Sequence, residues 1–319
     1  MRRRRVIGLD AGGTKLLGGV VGEDLVVHQR VHRVWRGQGR AEVLETMVEA
    51  VEEARAAAPD AEAVGFGIPS LIEWPAGRSV VSVHLPLDDL PFRELMAERL
   101  GLPVFVDNDA NAALLAEHRH GAAHGTSHAV LLTIGTGIGG GLVLGGRLYR
   151  GSSGAAAELG HMVVDMDGPP CQGGCPNRGC LEAVASGSAL GREGERLARE
   201  RPESALGRAD AAGAPVTGAL VTELAHDGDA AALEALELIG TRLGVGLSSI
   251  VNVFDPEVIV IGGGVIAAGE LLLAPARAEL ARRALAPGRD RVRVAAAAFG
   301  EEAGMLGAAV LALERGEVG

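Results

Sequence analysis

The sequence has one lysine, Lys15, among 30 basic side chains, and only three cysteines, all between Cys171 and Cys180. An odd, tightly clustered set of thiols does not make a disulfide framework and points first to a bound metal. Positive charge is in short supply, because the formal net charge is −11. That excludes a general attraction to DNA, RNA or anionic lipid, whose phosphates need clustered Lys and Arg. The one basic run, Arg2 to Arg5, reads as a solvated tail before the first strand. No uninterrupted apolar run approaches the ~20 residues of a membrane span. The start Val6-Ile7-Gly8-Leu9 meets Asp10 too early for a secretory signal core. The expectation is a cytoplasmic protein with no membrane and no nucleic-acid partner. Gly/Ser-rich or Pro-rich linkers between tethered modules are also missing.

What remains is ample material for buried cores. The chain has 319 residues, 47% hydrophobic and 22% charged, enough for two ordinary domains or one large one. Val6–Asp10 reads as an apolar strand entering Ala11-Gly12-Gly13-Thr14, with return strands at Leu16–Val21 and Leu25–Val34. Val43, Leu44, Met47, Val48, Val51 and Ala54 recur at helical spacing. Ala63–Ile68 is a buried strand, Phe92–Leu100 a short helix, and Val104–Val106 a strand that delivers Asp107-Asn108-Asp109. The pattern then restarts. His128–Ile134 is a strand entering a turn at Gly135–Gly141, with return strands at Leu142–Leu144 and Arg147–Tyr149. Later come a long helix from about Ala230 to Phe254, strands at Val258–Ile261 and Val292–Ala296, and a terminal helix from about Glu302 to Glu314. An apolar strand, a Gly/Thr turn and a hairpin thus occur twice, the signature of two related α/β halves. Facing each other, such halves would set two Gly-rich turns on opposite sides of a cleft.

Asp10-Ala11-Gly12-Gly13-Thr14-Lys15 puts a carboxylate, two glycines, a hydroxyl and an ammonium on one tight turn. Glycines let backbone N–H groups approach a phosphate, Thr14 offers a hydroxyl, Lys15 offers charge, and Asp10 offers an oxygen to Mg²⁺. Neither this turn nor the second matches G-x-x-x-x-G-K-[ST], so neither is a P-loop. The glycines at 135, 137, 139 and 140 precede the β-like Leu142-Val143-Leu144 where a dinucleotide fingerprint would precede a helix.

Val106-Asp107-Asn108-Asp109-Ala110-Asn111 lies where a strand passes into a helix, the usual ligand position in open α/β sheets. Phosphoryl transfer needs one base for the hydroxyl proton, positioning, and charge neutralisation. Asp109 is the candidate base and Asn108 a partner for substrate hydroxyls, although the residues alone do not separate Asp109 from Asp107. A helix cap would explain one of these polar residues but not four in five. Glu158-Leu159-Gly160-His161 is followed by Cys171, Cys175, Cys180 and Glu182. Three thiols and an imidazole match a closed, structural Cys₃His zinc site. His161 would keep one ring nitrogen for a second contact.

Taken together, DAGGT (Asp10–Thr14), DNDANAA (Asp107–Ala113), GTGIGGG (Gly135–Gly141), ELGH (Glu158–His161), GCLE (Gly179–Glu182) and DPEVIVIGGG (Asp255–Gly264) resemble the ROK family of sugar kinases and repressors, over nearly the whole chain. The resemblance implies an actin-like ATPase (ribonuclease H-like) fold of class α/β, with two related domains around a central cleft. The smaller would be residues 1–112, joined by the C-terminal helix at about 300–319. The larger would be 113–299, with the zinc loop. It implies ATP, Mg²⁺, a structural Zn²⁺ and a homodimer or homotetramer. It also implies Asp109 as the base acting on the 6-hydroxyl of glucose, with Gly67, Asn108, Asp109, Glu158, His161 and Glu182 on the sugar. Asp10, Gly12, Gly13, Thr14, Lys15, Gly135, Thr136 and Gly137 would meet the phosphates, Gly262 and Gly263 the adenosine end, and His161, Cys171, Cys175 and Cys180 the zinc. Three departures stand out. The family's usual C-x-C-G-x-x-G-C has two extra residues here between Cys171 and Cys175, beside the flexible Gly173-Gly174. Asp107 stands where many relatives carry Glu, and Ser70 where they often carry Gly.

Other readings are a kinase for fructose, mannose, N-acetylmannosamine or N-acetylglucosamine, polyphosphate as the donor, a catalytically silent sugar binder, and a sugar-responsive repressor. The repressor reading needs a DNA-binding element ahead of the sugar domain, and five residues precede the first strand. Glu158, His161 and Glu182 suit a ring-form sugar with free hydroxyls, which favours glucose.

Overall fold

The structure is a computed structural model describing residues 4–35, 39–82 and 84–316. Arg2 and Arg3 of the basic run lie outside the described residues. The chain divides into two compact units. One holds the residues up to Ser127, Gly141–Ala157 and those from Ala297 on; the other holds His128–Gly140 and Glu158–Ala296.

The first unit opens with β1 (Arg5–Ala11), β2 (Lys15–Gly22) and β3 (Val27–Val34), followed by α1 (Arg40–Ala57) and β4 (Val64–Ile68). Then come β5 (Ser70–Glu73), β6 (Arg78–Ser82), α2 (Phe92–Leu100), β7 (Val104–Asn108) and α3 (Asp109–His120). β1, β2 and β3 form an antiparallel meander, and β4 and β7 extend it in parallel to give the order β3-β2-β1-β4-β7. β1 and β4 are nearly all apolar because both faces are covered, as expected for parallel strands. Val43, Met47 and Val51 of α1 seat on one face in a cluster with Phe66, Phe92 and Met96.

After β8 (Ala129–Ile134), β9 (Ile138–Leu144) and β10 (Arg147–Leu148), the second unit is helical: α4 (Leu181–Ala185), α5 (Gly187–Glu200), α6 (Ala205–Ala211), α7 (Gly218–His226) and α8 (Ala230–Phe254). The chain closes through β11 (Val258–Gly262), α9 (Glu270–Arg283), α10 (Gly288–Arg291), β12 (Arg293–Ala296) and α11 (Ala303–Leu313). The second sheet has the order β10-β9-β8-β11-β12, with β8, β11 and β12 parallel. Both sheets therefore place a hairpin-connected strand set on one side of a central strand and crossover-connected parallel strands on the other. The repeat read from the two Gly/Thr turns is visible as a repeated strand order.

Two expectations need correction. Gly135–Gly141 is not all turn: β9 begins at Ile138, whose N–H donates to Glu182 Oε2 at 2.8 Å, so pairing starts inside the glycine run. And α8, although no uninterrupted apolar run marks it, is long and apolar enough by length and composition to cross a membrane. Its Ile239, Leu243, Leu247 and Ile250 are fully buried, and it packs on α9, α5, α7 and α4 as a core helix of its unit.

α11 covers the first sheet, packing against β1, β4 and α3. The approach is backbone to backbone. A Cβ at Gly8, Gly65 or Gly307 would overlap the carbonyl oxygens of Met305, Ala308 and Ala112 respectively. No larger residue fits without moving the helix.

Candidate active site

Sheet register lines up the chemistry of the first unit. β1 and β4 pair Asp10 with Gly67, and β4 and β7 pair Gly67 with Asp107, so the three sit side by side at the carboxyl ends of adjacent parallel strands. Gly67 keeps the middle open. A Cβ there would stand 3.2 Å from Ala112 Cβ, 3.5 Å from Asp109 Cα and 3.8 Å from Asp10 Oδ1. One residue past β7 the chain turns into α3, capped by Asn108 Oδ1, which accepts from the N–H groups of Ala110 and Asn111 at 2.9 and 3.2 Å. Asn108 Nδ2 lies 3.4 Å from Ser70 O.

The two aspartates that the residues alone left equivalent have different environments. Asp107 is 1% exposed and engaged on both oxygens. Its Oδ1 accepts from Asn108 N at 2.8 Å and Asn111 Nδ2 at 3.0 Å; its Oδ2 accepts from Arg150 Nε at 2.8 Å and lies 2.7 Å from Nη2 in an ion pair without hydrogen-bond alignment. Asp109, in the first turn of α3, is partly exposed and reaches Ala110 N at 2.9 Å. A carboxylate held on both oxygens by buried donors is fixed in place and closed to solvent. Asp107 is a structural acid.

The first turn is braced by groups the motif did not disclose. Trp35 Nε1 donates to Gly12 O at 2.7 Å, and His84 lies close enough that a Cβ on Gly13 would be 3.1 Å from its Cβ and 3.4 Å from its Cγ. Lys15 Nζ pairs with Glu301 Oε2 at 2.6 Å, just ahead of α11. Both partners are well exposed, so the pair contributes little to stability and leaves Lys15 able to change partners. Asp10 packs on the first turn of α11, where a Cβ at Gly304 would be 2.5 Å from its Cγ. Burial, with the charge of Asp109 adding to it and Lys15 opposing, lifts the Asp10 carboxyl to about 7.

A raised carboxyl binds a proton in the folded state that the unfolded state has released. Stability therefore falls as pH rises from the ordinary Asp range to about 7. Asp10→Asn, of the same size but uncharged, is expected to raise the melting temperature of the ligand-free protein at pH 8. The gain should vanish by pH 4, as thermal melts across that range would show. A gain of equal size at both ends would mean that Asp10 carries no such strain.

In the second unit the turn at Gly135–Gly137 is closed by Gly135 N donating to Gly137 O at 2.9 Å. It is seated on the start of α5: Gly187 N donates to Gly135 O at 2.8 Å, and Ser188 Oγ and Gln172 Nε2 donate to Thr136 O at 2.8 and 2.9 Å. β11 brings Gly262 beside Thr133, and Gly263, at φ +83°, comes so close to the Ile134 carbonyl that only glycine is unstrained there.

His161, Cys171, Cys175 and Cys180 place one ligand atom each within 4.8 Å of one another. Cys175 Sγ and Cys180 Sγ are 3.9 Å apart, and Cys171 Sγ is 3.5 Å from His161 Nδ1. Zinc bonds of ~2.3 Å to sulfur and ~2.0 Å to nitrogen, at tetrahedral angles, set ligand atoms roughly 3.5–3.8 Å apart. The four residues fit that ion. The two extra residues before Cys175 are absorbed by Gly173 and Gly174, at φ +66° and +79°. His161 Nε2 points the other way, 3.8 Å from Glu158 Oε2. Glu182, buried, spends Oε2 on Ile138 N and sets Oε1 3.8 Å from Cys171 Sγ, so it joins the cysteine loop to the second glycine turn.

The register thus groups Asp10, Gly12, Gly13, Thr14, Lys15, Gly67, Asn108 and Asp109 in the first unit. Gly135, Thr136, Gly137, Glu158, His161, Glu182, Gly262, Gly263 and the three cysteines belong to the second. Arg150, Trp35, Glu301 and Gly304 were missed. Their partners are remote in sequence, and nothing in their neighbours' spacing marks them.

Comparison with known proteins agrees with this architecture. A family model described as the ROK family matches residues 6–315. A glucokinase of Thermotoga maritima is 35% identical, with 99% of each chain covered. A ROK family glucokinase from Streptomyces griseus, solved in complex with glucose and AMPPNP, superposes with TM-score 0.87 at 35% identity, covering 97% of this chain and 99% of that one. A ROK hexokinase from Thermus thermophilus superposes with TM-score 0.77 at 37% identity, covering 99% of this chain and 100% of that one. Repeated strand order, two glycine turns, the strand-end aspartates and the His–Cys₃ cluster all fall within the matched span, and this chain belongs to the ROK family, with its actin-like ATPase fold.

Proposed function

We propose that this chain is a glucokinase, transferring the γ-phosphate of ATP to the 6-hydroxyl of glucose. The observation that carries the reading lies at the end of β7: Asp107 is buried and engaged by Arg150, Asn108 and Asn111, whereas Asp109 stands partly exposed in the first turn of α3, beside the Asp10–Gly67 strand ends. Asp109 accepts the proton of the attacking hydroxyl, and Asn108 Nδ2 orients a neighbouring one. Glu158, His161 Nε2 and Glu182 Oε1 contact sugar hydroxyls. Backbone N–H groups of Gly12, Gly13 and Gly135–Gly137 and the Thr14 and Thr136 hydroxyls cradle the phosphates, and Lys15 joins them by leaving Glu301. Gly262 and Gly263, without side chains, leave room for the adenosine end.

Mg²⁺ arriving with the nucleotide supplies neutralisation of phosphate charge. Asp10, whose carboxyl holds its proton to about 7, is the oxygen ligand best placed to gain from a cation. Zn²⁺ on His161, Cys171, Cys175 and Cys180 is structural: four protein ligands leave no open position. The glucokinase names of relatives 35% identical over nearly the full chain support glucose as the acceptor.

The test is a coupled assay across hexoses with ATP and with polyphosphate. Glucose with ATP is expected to give a kcat on the order of 1–100 s⁻¹. Preference for mannose, fructose or an N-acetylated sugar would replace the acceptor, and preference for polyphosphate the donor. Sugar binding with no turnover of any pair would overturn the kinase reading.

A further inference from the structure

Arg150 is a full guanidinium that the fold buries to 6% exposure, and neither the phosphate turns nor the sugar contacts use it. It follows β10, at the start of a loop that folds back on itself through Ala156 N donating to Arg150 O at 3.1 Å. Two nitrogens of its fork converge on one oxygen of Asp107, Nε at 2.8 Å and Nη2 at 2.7 Å. The same guanidinium sits over Trp74, with Cζ 3.8 Å from the ring centroid. Trp74 lies in the turn between β5 and β6, and Gly154 of the Arg150 loop packs so tightly on Ile72 of β5 that no side chain fits there. One side chain thus joins three segments: the β10 loop, the β5–β6 turn and the end of β7.

Burying a cation and an anion is costly and gains little net stability over an apolar pair. What such a pair supplies is fixed geometry, because a planar fork holds a carboxylate in one orientation and Lys does not. Here the oriented carboxylate is one step from the chemistry. The other oxygen of Asp107 accepts the Asn108 N–H at 2.8 Å and Asn111 Nδ2 at 3.0 Å, so its position sets both the cap and the first turn of α3. Asp109 lies between these two contacts, directly after Asn108.

We infer that Arg150 is a positioning residue: clamped between Trp74 and Asp107, it fixes the corner from which Asp109 and Asn108 meet the substrate. This rests on Asp109 being the base. Arg150 touches no reacting atom, so its loss misplaces a base without removing it, and an error near 1 Å costs about 10²-fold in rate.

The experiment measures kcat and KM for glucose and for ATP in Arg150→Lys, Arg150→Met and the double variant Asp107→Asn/Arg150→Met, with thermal melts alongside. Arg150→Met is expected to lose about 100-fold in kcat while its KM for ATP stays within about twofold. The double variant removes both buried charges, so its melting temperature should return most of the way to that of the parent protein while kcat stays about tenfold or more below it. A double variant that turns over normally would overturn the inference, since Arg150 would then only neutralise a charge. If that variant does not fold, Arg150→Lys decides, because it keeps the charge and loses the fork: a kcat of about a tenth or less upholds positioning, and a normal kcat overturns it. Asp109→Asn run in parallel separates the layers. Normal turnover there overturns the reading beneath this inference, whereas a dead Asp109→Asn beside a normal Arg150→Lys overturns the inference alone.

Discussion

Asp109→Asn is expected to yield a folded protein with near-normal stability that binds sugar and nucleotide but turns over about 10²–10⁴-fold more slowly, the contribution of a positioned general base. The substitution keeps size and keeps an oxygen for Ala110 N, now 2.9 Å from Asp109 Oδ1. The helix cap belongs to Asn108 and is untouched. Only basicity goes. Asp107→Asn is the informative contrast: it leaves the Arg150 cation buried without its anion, and removing one partner of a buried pair costs about 3–5 kcal/mol. Melting temperature should therefore fall steeply for Asp107→Asn and hardly at all for Asp109→Asn. Single-turnover kinetics with pre-bound glucose would isolate the chemical step. A rate for Asp109→Asn within about threefold of the parent would reassign the base, given how much a general base normally supplies.

Stripping the His161–Cys₃ site is the second large effect. Chelation, or Cys175→Ala, is expected to free the loop from Met162 to Cys180, since three of the four anchors lie on it and its Val163 and Met166 are exposed. Structural zinc contributes about 10–16 kcal/mol of binding free energy in small zinc-dependent folds, so even a fraction of that exceeds what a surface loop can otherwise muster. The damage should spread along Glu182 and Gln172, which hold Ile138 N and Thr136 O of the second glycine turn. Hydrogen exchange should then show lost protection both in the loop and at 135–138, and the KM for ATP should rise. Elemental analysis finding no zinc in folded, active protein would remove the metal, and loss of protection confined to the loop would remove its link to the turn.

Much of this was legible because phosphate turns and strand-end acids need particular residue types close together in sequence. DAGGT and DNDAN are local solutions to local problems, and α8 declared itself by apolar spacing at the bounds observed, Ala230–Phe254. Legibility failed where a partner comes from far along the chain. Arg150 looks like any loop arginine until Asp107 and Trp74 are beside it. Glu182 read as a sugar ligand, and nothing near it foretold its bond to Ile138 N. The β5–β6 hairpin was overlooked because its strands are four and five residues long. The helix Glu270–Arg283 was overlooked too; it contains Pro275, which normally signals a break. Gly240 on α8 makes room for that proline ring, with a built Cβ only 2.6 Å from Pro275 Cγ.

The close seating of α11 on β1, β4 and α3 bears on the order in which the protein comes off the ribosome. Residues 303–313 follow every other helix and strand among the described residues, yet they cover β1, which precedes them all. Domains usually complete in the order of synthesis. Here the first sheet stays uncovered on one side until residues 303–313 are made, while both segments of the second unit, 128–140 and 158–296, precede them. Loss of residues 297–313 would leave every segment of the second unit present and strip the first sheet of its cover.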